Sequence, residues 1–183
     1  ESTNEDNSVS LNIVANDTDS DGTIVITSVD LDPTTAGQQT TLTTPEGAWS
    51  VDASALLTFV PVLNFNGEAS ISYTINDNLG AVSNVGIVTI TVVSINDAPV
   101  ANDDTTVTDE DTPVTITVLA NDSDVDGTLI GTTVDLNTGS AGIQNSITTP
   151  EGNWAVDSDG VVTFSPLQDF NGTAIITYRV NDN

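Results

Sequence analysis

Two short acidic runs hold the residues best suited to chemistry: Asp17-x-Asp19-x-Asp21-Gly22 and Asp122-x-Asp124-x-Asp126-Gly127. Carboxylates at alternate positions, followed by a glycine that permits a tight turn, let one loop turn several oxygens toward a single hard cation. The first half of an EF-hand loop works this way. The second half is lacking, because its twelfth position holds Ser28 or Thr133 where a bidentate Glu belongs. The flanks read as strands rather than helices, so further ligands have to come from elsewhere in the fold. Calcium (Ca2+) suits the set best. Magnesium prefers fewer protein ligands and keeps its water, and zinc would want His or Cys, neither of which the chain contains. The plainer alternative is a solvated acidic turn, since Asp, Asn and Gly favour turns. Recurrence at one spacing in two places argues for the cation.

That recurrence is part of a larger one. The chain repeats at an offset of 105 residues without insertion or deletion, and residues 1–78 share 38 identical pairs with 106–183. Glu5 pairs with Glu110, Asp17 with Asp122, Trp49 with Trp154 and Asn78 with Asn183. A repeat of this length is a whole domain rather than a solenoid unit. A feature copied in both belongs to the scaffold or to a ligand the scaffold needs.

Composition narrows the function classes. The 183 residues carry 27 Asp and Glu against one basic residue, Arg179, for a net charge of −26. No nucleic acid partner is expected, because binding phosphate needs Lys and Arg to displace counterions. Anionic membrane surfaces are disfavoured by the same argument, and no apolar run is long enough for membrane insertion. No leader is visible at Glu1. Absence of Cys excludes a disulfide framework and thiol chemistry, and absence of His excludes an imidazole base.

The elements that must position the loops are short and alternate with period two between Gly, Asn, Asp and Pro clusters. Expected strands in the second copy include Val114, Ile116 and Val118; a segment near 128–136; short ones near 154–156 and 161–164; and a strong one with Ala174, Ile176, Tyr178 and Val180 on one face. In the first copy Val88, Ile90 and Val92 mark a long strand that runs into a linker, after which 100–108 opens the next repeat with another strand. No helical period stands out. Seven or so strands in about 100 residues predict an all-β fold: tandem antiparallel Greek-key β-sandwiches, one over 1–98 and one over 99–183. The first copy lacks a counterpart of 100–104, and the second lacks one of 79–95. The chain is therefore expected to be an excerpt of a longer tandem array. A neighbouring chain that donates the missing strand is the other option, for which residues 1–7 lack the apolar alternation.

Several spaced motifs carry a family resemblance. Asn96-Asp97-Ala98-Pro99, Glu110 eleven residues on, the Ala120-x-Asp122-x-Asp124 loop and the end Tyr178-Arg179-Val180-Asn181-Asp182 resemble cadherin repeats. The Phe-Asn-Gly turns at 65–67 and 170–172, and the run Val93-Ser94-Ile95 before the linker, look like the bacterial cadherin-like repeats that stack in large secreted adhesins. The resemblance implies Ig-like sandwiches with calcium at the junctions between repeats. It implies one ligand set of Glu5, Asn96, Asp97, Asp122, Asp124, Asp126 and Asp182. Asp17, Asp19, Asp21 and Asp77 would face a preceding repeat, and Glu110 a following one. Ser94 stands where the linker's leading Asp is expected, and the acidic Leu-Asp-Arg-Glu motif has no counterpart; Asp6, Asp103, Asp104 and Asp111 could compensate.

On this reading the chain is an extracellular, cell-surface extender. Its partners are neighbouring repeats of the same longer chain, with weak self-association possible. The alternatives are an Ig-like module that binds a glycan or protein ligand, or a filament-forming subunit. A ligand-binding domain would break the repeat with an insertion, and none is seen. Trp49 and Trp154 read as core residues rather than a sugar platform. An enzyme is not expected, since the acidic pairs lie in loops with no cleft-forming insertion.

Overall fold

Alternation of buried and exposed side chains builds the first unit. In the computed structural model, which describes residues 1–183, the chain divides into two compact units, Glu1–Ile95 and Asn96–Asn183. Asn96 and Asp97 thus group with the second unit. The first contains seven strands: β1 (Ser2–Asn4), β2 (Val9–Asn12), β3 (Thr41–Thr44), β4 (Gly47–Val51), β5 (Leu56–Pro61), β6 (Gly67–Tyr73) and β7 (Gly86–Val93). In β7, Val88, Ile90 and Val92 are buried while Thr89 and Thr91 face outward, as a half-buried strand requires.

The strands form two sheets, ordered β2-β5-β4-β3 and β1-β7-β6. A long connection leads from β2 to the β3-β4-β5 meander, whose last strand comes back beside β2, which is the Greek-key arrangement. One pairing departs from the antiparallel expectation: β1 runs parallel to β7. The sheets enclose a core of Trp49, Leu57 and Phe59 from one side and Ala69, Ile71 and Ile90 from the other. Trp49 is directly opposite Phe59 across the ladder, and their rings stack at 4.1 Å. Such a pair adds to its area burial through ring–ring attraction.

The second unit repeats half of this plan. Strands β8 (Val114–Thr117), β9 (Ser146–Thr148), β10 (Gly152–Val156) and β11 (Val161–Pro166) form one sheet, ordered β8-β11-β10-β9. Trp154 and Phe164 stack at 4.3 Å. Three expected strands are absent. Residues 174–180 form no ladder beyond an isolated bridge between Asp135 and Arg179, and 100–108 contributes only a bridge between Val100 and Ser123. The first unit gives the reason: β6 pairs only with β7, and β1 pairs only with β7. No strand of the second unit takes the place of β7, so both segments that would flank it lack a hydrogen-bonding partner. The segment near 128–136 is likewise not a strand; a 3-10 turn at Gly131–Thr133 interrupts it, as one at Ile26–Ser28 does in the first unit.

Without that covering strand, the second unit keeps an open cavity of about 780 Å³ lined by Ile116, Trp154, Phe164, Phe170, Ile176 and Tyr178. Both tryptophans are nonetheless core residues, 1% exposed for Trp49 and 5% for Trp154.

Candidate metal centre

Each acidic loop curls around its middle aspartate. Asp19 Oδ1 accepts the backbone N–H groups of Asp21 and Gly22, both at 3.2 Å. Asp124 Oδ1 likewise accepts those of Asp126 at 3.1 Å and Gly127 at 2.5 Å. The glycine is needed for closeness. A Cβ on Gly22 would stand 2.7 Å from Asp19 Oδ2 and 2.6 Å from Asn78 Oδ1. One on Gly127 would crowd Asp124 Oδ1 and Asn183 Oδ1 at 3.0 and 3.1 Å. The other carboxylate oxygen, Oδ2 of Asp19 and of Asp124, is buried with no hydrogen-bond donor.

An asparagine fastens each loop to the chain segment that carries its last aspartate. Asn78 Oδ1 accepts the N–H of Thr23 at 2.7 Å, and Asn183 Oδ1 accepts that of Thr128 at 2.7 Å. The first aspartate is fastened by a tyrosine. The Tyr73 hydroxyl lies 2.8 and 3.0 Å from the two oxygens of Asp17, and that of Tyr178 lies 3.0 and 2.9 Å from those of Asp122. Burial, then the hydrogen bond and the charge of Asp17, push the Tyr73 phenol up to about 12. Burial and the carboxylates of Asp122 and Asp104 push Tyr178 upward too. Both phenols therefore stay protonated as donors.

In the first unit Asp17, Asp19, Asp21 and Asp77 border one cavity of about 480 Å³. Asp77 also closes its own turn by accepting the N–H groups of Leu79 and Ala81, each at 2.8 Å. Glu5, which the resemblance groups with the linker residues and not with this loop, is not among them. It is buried, and it accepts the N–H of Ile95 just past the end of β7, whereas the cavity meets β7 at Gly86. The length of the strand separates the two places, roughly 23 Å at about 3.3 Å per residue.

In the second unit hydrogen bonds link four of the expected residues. Asn96 Nδ2 donates to Asp182 Oδ2 at 2.9 Å, and the N–H of Asp97 donates to Asp126 Oδ1 at 3.2 Å. Asp122 Oδ1 also accepts the N–H of Asn102 at 2.7 Å. Asp104 joins this group: burial first, then the charges of Asp122 and Asp103, raise its carboxyl above the usual range. Glu110 stands apart and exposed, because the chain that covers Glu5 has no counterpart here. Asp6 and Asp111 have another task, since each accepts a turn N–H, from Asn64 at 2.9 Å and from Asp169 at 2.8 Å. No three carboxylates stand together at coordinating separation.

Asp104 is one of the residues expected to compensate, whereas Tyr73 and Tyr178, Asn78 and Asn183 are parts of the loop's setting that the acidic spacing did not reveal. The available signal was identity across the repeat, since both tyrosines of the chain occupy this one position.

Residues 1–91 and 96–183 each match the family model described as a bacterial Ig domain. No curated protein matches the chain.

Proposed function

The chain belongs to the bacterial Ig domain family, and on that premise we propose that it is a calcium-rigidified extender of a bacterial surface or secreted adhesin. Bacterial Ig domains are typically non-enzymatic structural modules and are common in surface proteins, and a tandem pair with matching loops suits a spacer. The observation that carries the calcium reading is the duplicated orphan oxygen, Oδ2 of Asp19 and of Asp124. A buried polar atom without a partner needs a physical reason, and an ion is one. Its appearance at the same position of two sequences that differ at half their residues makes it a property of the loop.

The donor set is all oxygen, from carboxylates and amide carbonyls, which suits a hard cation of flexible coordination. Asp17, Asp19, Asp21 and Asp77 would hold calcium in the first unit. Asn96, Asp97, Asp122, Asp124, Asp126 and Asp182 would do so in the second. Glu5 and Glu110 enter through the resemblance to cadherin repeats alone. The ion supplies positive charge that relieves repulsion among these carboxylates. Extracellular calcium modules bind at roughly 10⁻⁴–10⁻³ M, which suits a surface where calcium is always present. Fixed junctions then turn a string of repeats into a stiff stalk that carries another part of the protein away from the cell.

Calorimetric titration with calcium tests the binding step. Saturable heat near millimolar calcium, lost at one loop in Asp19→Asn and at the other in Asp124→Asn, is the expected result. Heats of dilution alone would leave the loops as acidic turns.

A further inference from the structure

We propose that Tyr73 and Tyr178 are positioning residues of the two calcium loops, each holding the first aspartate, Asp17 or Asp122, in place before the cation arrives. The inference rests on the calcium reading and extends it to residues outside the acidic loops. In the first unit the phenol has two kinds of acceptor in reach, the Asp17 carboxylate at 2.8 and 3.0 Å and the Ile13 carbonyl at 3.3 Å. In the second, Asp122 lies at 2.9 and 3.0 Å and the Val118 carbonyl at 3.1 Å. Asn102 O at 3.2 Å and Asp104 Oδ2 at 3.4 Å complete that set.

A phenol has one proton to donate. An ionised carboxylate is the stronger acceptor, so the proton goes to the aspartate. A carboxylate has about four lone-pair sites; one phenol leaves most of them for a cation on Asp17, and the phenol with the Asn102 N–H leaves about half of them on Asp122. Two features separate this arrangement from a core tyrosine in need of any partner. The backbone carbonyl of Ile13 or Val118 would by itself satisfy the hydroxyl, so the carboxylate is not required for burial. The contact also persists in the second unit, where 172–178 form no strand, so it is not a by-product of the sheet.

The loop has a use for such a clamp. Two residues beyond the held aspartate lies the orphaned oxygen of Asp19 or Asp124. A cation that satisfies it must also immobilise the neighbouring carboxylate. Freezing a side chain on binding weakens association by about three- to tenfold, and the phenol has already frozen this one.

The test uses the two-unit chain as wild type, Tyr73→Phe and Tyr178→Phe. Phe keeps the ring and its packing and removes only the hydroxyl. Calcium affinity is read by calorimetry, and the hydration of bound Tb(III) by luminescence lifetimes in H2O and D2O. The expected result is about three- to tenfold weaker binding at the altered loop, with about one additional water on the metal as the loosened carboxylate gives way. A tyrosine that only fills the core would lower the unfolding temperature and leave affinity and hydration unchanged; that outcome in both variants overturns the positioning role. If either variant fails to fold, the other decides, since each loop has its own tyrosine. A wild-type chain that binds neither ion overturns the calcium reading instead, so the two failures are distinguishable.

Discussion

Tyr73 closes a seven-residue strand in the first unit, while Tyr178, at the same place in the second, lies in no strand at all. Both phenols reach the first aspartate of the adjacent loop at nearly the same distances. The comparison separates two kinds of order. The loop is held by its own backbone N–H groups on the middle aspartate and by two side chains 55 and 56 residues along the chain, the asparagine fixed to Thr23 or Thr128 and the phenol. The sheet depends instead on backbone ladders between neighbouring strands. Segments 172–178 and 106–109 have the composition of strands but lack the neighbour that supplies their ladder, and unpaired backbone groups cannot stay buried. The acidic loop can therefore be set in a unit whose second sheet is incomplete.

The largest expected effect tests this contrast in the core. Ile71 is 5% exposed on β6, beside β7, so Ile71→Ala should cost about 2–5 kcal/mol in urea denaturation. Ile176→Ala, at the open face of the second unit, should cost much less, because part of that side chain's burial is missing already. Equal losses would contradict the account of the open face. Next in size is completion from outside. A synthetic peptide of residues 79–95 should dock antiparallel to 172–178, as β7 does to β6 over Gly67–Tyr73. Hydrogen exchange would then slow across 172–178, and a scrambled peptide of equal composition would leave it unchanged.

The smallest effect lies at the chain's lone ion pair. Arg179 meets Asp135 at 3.0 Å, where the first unit has Thr74 beside Asp30. The N–H of Asn137 foremost, with that of Gln144 and the Arg179 guanidinium, holds the Asp135 carboxyl below its ordinary 3.8 despite the opposing cost of burial. A lowered folded value stabilises fully above the unfolded one and is lost as pH falls through the folded one. Arg179→Thr should leave stability at neutral pH almost unchanged, since the guanidinium is exposed. Acid unfolding of the second unit should begin at slightly higher pH. A large loss at pH 7 would assign the pair a role it does not have on this account.

Much of this was legible before the fold. Period-two alternation marked β7, β8, β10 and β11, and the Asp-x-Asp-x-Asp-Gly spacing marked the loops. Alternation failed at 174–180 for a physical reason: it records which face would be buried, not whether a partner strand is present to be paired. It also passed over β9, whose Ser146-Ile147-Thr148 is too short to show a period. The clamps around the loops were hidden because Tyr73 and Tyr178 read as apolar strand residues; only their hydroxyls act at the site. Asn78 and Asn183 stood out only as an equivalent pair of the repeat.

Small-angle scattering of the two-unit chain, titrated with calcium and then with EGTA, tests the central claim most directly. The account predicts one stiff, extended shape at millimolar calcium that relaxes when the ion is withdrawn. A profile that is the same with and without calcium would contradict it.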